Sequence, residues 1–281
     1  MTETPELFDS FRHEITAGDI IPDLRSGLIG EGMMVPGPRG PNPLIYADYV
    51  ASGRALKQLE DRIAKDVLPY YSNAHTEASY CGRHMNRLRA QARRVVAQAC
   101  SADTDHAVIF AGAGATAGLT KLAALLGVDA MMAEGKRPLV LIGPYEHHSN
   151  ILPWRESGAE VIEIAEAAAG GPDMDDLAAR LAAHADRSVI GSFSAASNVT
   201  GIVSDVAAIT RLLKRSGAMS VWDYAGAGPY LPIDMGMGMD AVVVSPHKFI
   251  GGPGASGVLI LRRDAVKRAR PTSPGGGTVR F

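Results

Sequence analysis

Ala241-Val242-Val243-Val244-Ser245-Pro246-His247-Lys248, with Gly251-Gly252-Pro253-Gly254 close behind, is an unbroken apolar run that ends in hydroxyl, imidazole and amine side chains. Four consecutive apolar residues rich in valine make a strand buried on both faces, the kind found in a sheet covered by helices on either side. A lysine at such a strand end is poorly placed as a solubilising charge and well placed to condense with an aldehyde. Burial favours the neutral amine, and the neutral amine is the nucleophile of Schiff-base chemistry. The alternative is a lysine that merely follows the strand and escapes to solvent, the usual fate of this residue. The residues at the other strand ends decide between the two.

Six further short apolar runs read as strands: 107–110, 139–142, 161–164, 189–193, 220–222 and 257–261. Helical segments lie between several of them, at 175–184 and 205–215, and a helix carrying Leu119, Leu122 and Leu125 follows the first. Strands alternating with helices require crossover connections, which predicts an α/β fold with a mainly parallel seven-stranded sheet between helices. Ahead of the first strand, Leu56, Leu59, Ile63 and Val67 recur at helical spacing, and Met85, Leu88, Ala92, Val95 and Ala99 mark a second helix. Residues 1–45 read as an arm: a short amphipathic stretch (Leu7, Phe8, Phe11, Ile15) and then a loop rich in Gly and Pro. The division expected is 1–45 as arm, 46–262 as one large domain and 263–281 as a tail.

With 281 residues, 46% hydrophobic and 21% charged, the chain has ordinary globular composition and material for one sizeable core. A net charge of -2 with dispersed basic residues gives no nucleic-acid footprint. The acidic opening Met1-Thr2-Glu3-Thr4-Pro5-Glu6 and the lack of a membrane-length apolar run argue against a signal peptide or anchor, so a cytoplasmic enzyme is expected. Cys81 and Cys100 have no metal-site or disulfide-framework spacing and read as packing thiols; no metal is expected.

In an α/β sheet, ligands gather outside the carboxyl ends of the strands. After the first strand, Ala111-Gly112-Ala113-Gly114-Ala115-Thr116 opens directly into a helix, where free N–H groups suit a phosphate; a tight packing turn is the other reading. After the second comes Glu146-His147-His148-Ser149-Asn150-Ile151-Leu152-Pro153-Trp154, in which one imidazole can stack on an aromatic ring or shuttle protons, or the stretch is simply a polar loop. Asn198 after the fourth offers an amide, although turn chemistry explains it equally well. Asp223, after the fifth, ends a buried strand and needs a cationic partner, which a protonated pyridine nitrogen would supply. A lysine and an aspartate in this company form the arrangement of a pyridoxal-phosphate site.

On these motifs the chain resembles the class V aminotransferase group of fold-type I enzymes dependent on pyridoxal 5'-phosphate (PLP), in the cysteine desulfurase and selenocysteine lyase branch. The resemblance runs from Tyr46-Ala47-Asp48 to Thr278 and is most specific in Glu146–Trp154 and Ser245–Lys248. It implies a PLP-binding large domain in which Lys248 bonds the cofactor, Asp223 holds the ring nitrogen protonated and His147 stacks on the ring. Asn198 would lie near the substrate carboxylate or the ring hydroxyl. Gly114, Ala115, Thr116, Ser245 and His247 would hold the phosphate. Gly275-Gly276-Gly277-Thr278 fits a loop that, in the family, reaches the neighbouring subunit's phosphate, which implies a homodimer.

Two departures stand out. Gly226 occupies the position where the family usually has a Gln bonding the ring hydroxyl, and the sequence ends at Phe281, ahead of where relatives continue into a small domain with a substrate-binding arginine and, in desulfurases, a sulfur-accepting cysteine. The expected activity is that of a PLP enzyme acting on a small-molecule amino acid, foremost L-cysteine to alanine with sulfur passed to an acceptor protein. The alternatives are a class V aminotransferase or β-lyase on another amino acid, and a catalytically silent or split-enzyme subunit.

Overall fold

A computed structural model describes residues 7–73 and 77–273, which divide into two compact units: the described residues up to 96 with 248–253, and 97–247 with those from 254 onward. In the first unit the amphipathic stretch becomes α1 (Leu7–Thr16), followed by α2 (Ile20–Ser26). The Gly- and Pro-rich segment expected as loop contains a small antiparallel ribbon, β1 (Met34–Val35) on β2 (Asn42–Pro43). Its two-residue exposed strands carry no alternation that a pattern could reveal.

Next come α3 (Lys57–Arg62), a π-turn over Ile63–Val67 and a 3₁₀ turn over Leu68–Tyr70. Pro69 has no N–H to donate, so regular α-helix stops short of it. The 20-residue α4 (Tyr80–Ala99) buries Gly82 and Leu88. Arg54, 8% exposed, donates to Glu31 Oε2 and to the Ile29 carbonyl, joining distant parts of this unit.

The second unit is built on the sheet. Its strands and helices follow as β3 (His106–Gly112), α5 (Gly114–Leu125), α6 (Val128–Ala133), β4 (Leu139–Ile142), α7 (Leu152–Glu156), β5 (Glu160–Glu163) and α8 (Met174–Ala183). They continue with β6 (Val189–Ser194), α9 (Val206–Arg215), β7 (Met219–Asp223), β8 (Ala241–Val244) and β9 (Gly257–Arg262). The spatial order is β3-β9-β8-β7-β6-β4-β5. β5, β4, β6, β7 and β8 pair in parallel, and β9 is inserted antiparallel between β8 and β3. Six of the seven strands therefore share one direction, and their carboxyl ends lie along one edge. The seven expected strands are all present, and the mainly parallel α/β sheet is the fold.

Every residue of β4 and β8 is buried, as a sheet covered on both faces requires. The core joins Leu119 and Leu122 of α5 to Val140, Ile142, Val221, Val243 and Leu259 of the strands. Gly118 lets α5 approach β8, because a Cβ there would stand 3.0 Å from Val243 Cγ1. Asp173 caps α8 by accepting from the N–H groups of Asp175 and Asp176, and Asp205 caps α9 through Ala208 N–H. Among the described residues, no helix is long and apolar enough to cross a membrane.

Candidate active site

At the end of β3 the chain passes through Gly112 (φ 92°) and Gly114 (φ 61°) into α5, backbone that favours glycine. The buried hydroxyl of Ser245, just past β8, accepts from the Ala115 N–H at 2.9 Å, joining the residues after β8 to the first turn of α5. A Cβ on Gly114 would lie 2.9 Å from His247 Cε1 and 3.1 Å from Ser245 Oγ. On the other side, a Cβ on Gly257 would meet the Gly114 carbonyl oxygen at 2.1 Å. Bare backbone at 114 and 257 thus lets Ser245, His247 and the start of β9 close onto the first turn of α5, a cradle at a helix N-terminus, where N–H groups and the helix dipole favour an anion. Gly114, Ala115, Ser245 and His247, singled out in the sequence, are brought together here.

Thr116 extends the cradle. Its hydroxyl is 2.7 Å from Ser149 Oγ, and Ser149 in turn donates its N–H to His147 Nδ1 at 3.1 Å. His147 caps the short 3₁₀ turn His148–Asn150. Because Nδ1 accepts from that N–H, the proton of the neutral ring lies on Nε2. Both His147 and His148 are exposed, with ring planes 74° apart.

Asp223 closes β7 and is 4% exposed; its Oδ1 accepts from the Ala225 N–H at 2.7 Å. It is the register partner of Val243 in β8, the strand whose continuation carries Ser245, His247 and Lys248. Asn198 is exposed beyond β6, and a Cβ on Gly226 would be 3.8 Å from its Cβ.

Lys248 is half-buried and opens the 248–253 segment of the first unit. There a Cβ on Gly53 would lie 1.8 Å from the Phe249 carbonyl oxygen and 3.2 Å from the Lys248 carbonyl carbon. The Gly251 N–H donates to the Arg54 carbonyl at 2.7 Å. The backbone that carries Lys248 is thus seated on Gly53 and Arg54. The expected loop Gly275–Thr278 lies outside the described residues. Among the described residues, no group of three or more His, Cys, Asp or Glu is placed to hold a metal ion.

Sequence reasoning passed over Gly53, Gly257 and above all Glu146. The Glu146 carboxylate accepts from Ser194 N–H (2.8 Å), Ser194 O–H (2.6 Å), Asn150 Nδ2 (2.6 Å) and Gly143 N–H (3.3 Å). Burial pushes it up to about 7, against the pull of the Ser194 and Asn150 donors and with a smaller push from Asp223. Asn150 relays this group inward: its Oδ1 accepts from Trp154 Nε1 (3.3 Å) and from Ser192 O–H (2.6 Å), all three side chains being fully buried. The only hint in the sequence is an acidic residue close behind a buried strand.

The curated relatives agree with this architecture. A probable cysteine desulfurase of Aeropyrum pernix is 30% identical over 242 residues, covering 84% of this chain and 56% of that protein. Another, of Halalkalibacterium halodurans, is 27% identical over 245 residues, covering 85% and 58%. An apo cysteine desulfurase structure from Thermococcus onnurineus superposes with a TM-score of 0.75 at 22% identity, covering 94% of this chain and 62% of that one, which shows the same fold. The chain spans little more than half the length of the curated relatives it matches. The family model of the class-V aminotransferases matches residues 45–281, and the chain belongs to that family.

Proposed function

We propose that this chain supplies the cofactor-binding part of a PLP-dependent, cysteine desulfurase-like enzyme. PLP is the cofactor of the class-V family, and the tightly packed turn at Gly114 and Gly257 has the glycine backbone and helix N-terminus that its phosphate needs. When bound, PLP supplies an electron sink for negative charge developing at the α carbon of an amino acid. In this reading Gly114, Ala115, Thr116, Ser245 and His247 bind the phosphate. His147 would lie against the ring, and Asp223 would hold the ring nitrogen protonated. Lys248 would hold the aldehyde carbon and would move the proton at the α carbon of the substrate. Asn198 contacts the substrate carboxylate or the ring hydroxyl.

The observation that carries the reading is the buried Asp223 paired in register with β8, the strand that runs on to Lys248. The names of the relatives support L-cysteine as substrate, with alanine and transferable sulfur as products. A homodimer completed by Thr278, a sulfur-accepting partner protein and a cytoplasmic location belong to the same reading, as does the division into arm (1–45), cofactor domain (46–262) and tail (263–281).

The test is an absorbance spectrum after PLP addition, repeated with a panel of amino acids and followed by sulfide detection in the presence of a thiol reductant. The visible band should appear in the parent chain and vanish in Lys248→Ala. L-cysteine should yield alanine and sulfide; a Lys248→Ala chain with the parent's band and turnover refutes the assignment.

A further inference from the structure

The Glu146 carboxylate collects four donors from three places: Gly143 beyond β4, Ser194 at the end of β6, and Asn150 in the turn that follows His147. The Ser194 hydroxyl and the Asn150 amide both reach Oε2, while the Ser194 and Gly143 N–H groups reach Oε1. One side chain therefore links the ends of β4 and β6, neighbours in the sheet, to the turn that presents His147 and Ser149. Through Asn150 it also reaches the indole of Trp154. A surface loop does not need a carboxylate with this many partners; a turn that must hold an imidazole in one place does.

We propose that Glu146 is a positioning residue for this site, clamping the ends of β4 and β6 together and holding the His147 turn against the sheet. The proposal rests on the PLP reading for its catalytic meaning, but the clamp itself belongs to the protein alone. The titratable groups around it are Asp223 at the end of β7, His147 and His148 on its own turn, and Tyr145, which bonds Glu166. A Glu146 that gains or loses its proton alters the grip on the turn.

The test uses the ¹⁵N-labelled chain without cofactor. The chain has two tryptophans, and Trp154→Phe identifies their two indole N–H signals. The Trp154 signal should move with a midpoint near pH 7, while that of Trp222, bonded to Thr210 and Ser220, stays still. The Trp154 transition should vanish in Glu146→Gln and survive in His147→Gln and His148→Gln. Ser194→Ala removes a donor to the ionised carboxylate and should move the midpoint upward.

With PLP added, Glu146→Gln should weaken uptake about tenfold, the scale of one charge-assisted hydrogen bond. If Glu146→Gln fails to fold, Ser194→Ala decides the matter: a midpoint that does not move overturns the proposal. An unchanged Trp154 transition in a folded Glu146→Gln chain overturns it too. A parent chain that takes up no PLP while the indole results hold defeats the cofactor reading and leaves the clamp standing.

Discussion

Gly53→Ala is the sharpest probe of how Lys248 is held. Gly53 does not occupy the positive-φ region, so alanine carries no backbone penalty and any effect comes from contact alone. The new Cβ would sit 1.8 Å from the Phe249 carbonyl oxygen, where real Cβ contacts are essentially never under 3.0 Å. The peptide after Lys248 must therefore retreat by about 1 Å, and displacements of that size cost on the order of 100-fold in reactions that depend on alignment. The Gly251 N–H bond to the Arg54 carbonyl, 2.7 Å long, would stretch with it. Overpacking of this kind destabilises by about 1–3 kcal/mol, too little to unfold an ordinary domain. The assay is the rate at which the visible PLP band appears, with urea unfolding run alongside. Gly53→Ala should form the band about 100-fold more slowly while remaining folded. Gly226→Ala, whose Cβ would meet nothing nearer than 3.8 Å, serves as the control and should behave as the parent. Equal rates in Gly53→Ala and the parent would refute the idea that this glycine sets the position of the lysine.

Three other outcomes are expected. Glu146 is raised from an ordinary 4.5 to about 7, so its contribution to stability is fully present below pH 4.5 and is lost as pH rises through 7; the decline is about 3 kcal/mol, should show in urea unfolding at successive pH values, and should be missing from Glu146→Gln. Burial pushes the Cys100 thiol up to about 11, so at pH 8 iodoacetamide should modify the half-buried Cys81 in the native chain and spare Cys100 until denaturant is added, as mass mapping would read. Gly226→Gln has room for its Cβ beside Asn198 and should fold as the parent and retain PLP more tightly in equilibrium dialysis; equal retention would count against a missing ring contact at this position.

Much of the fold was legible because its strands are buried on both faces. The runs at 139–142 and 241–244 are apolar at every position, a pattern that needs helices on both sides and hence a parallel sheet. The cradle was legible in part, since glycines before an apolar helix mark a turn with close backbone approach. The ribbon of β1 and β2 was not, because two-residue exposed strands leave no periodicity. Glu146 was passed over for a different reason: it lies in a polar stretch, and its Ser194 donors are 48 residues away.

The amino-acid sequence alone determined the seven strands of the large sheet and several of its helices, and it marked Lys248, Asp223, His147 and the Gly114 turn as the residues to examine. These follow from local periodicity and from chemistry that side chains carry wherever they sit. Tertiary structure alone decided that β9 runs antiparallel between β3 and β8, that Ser245 reaches the helix start 130 residues earlier, and that Gly53 supports the peptide after Lys248. Strand order and contacts across such separations depend on which surfaces meet once the chain has closed its long loops, and no short window of residues contains that information.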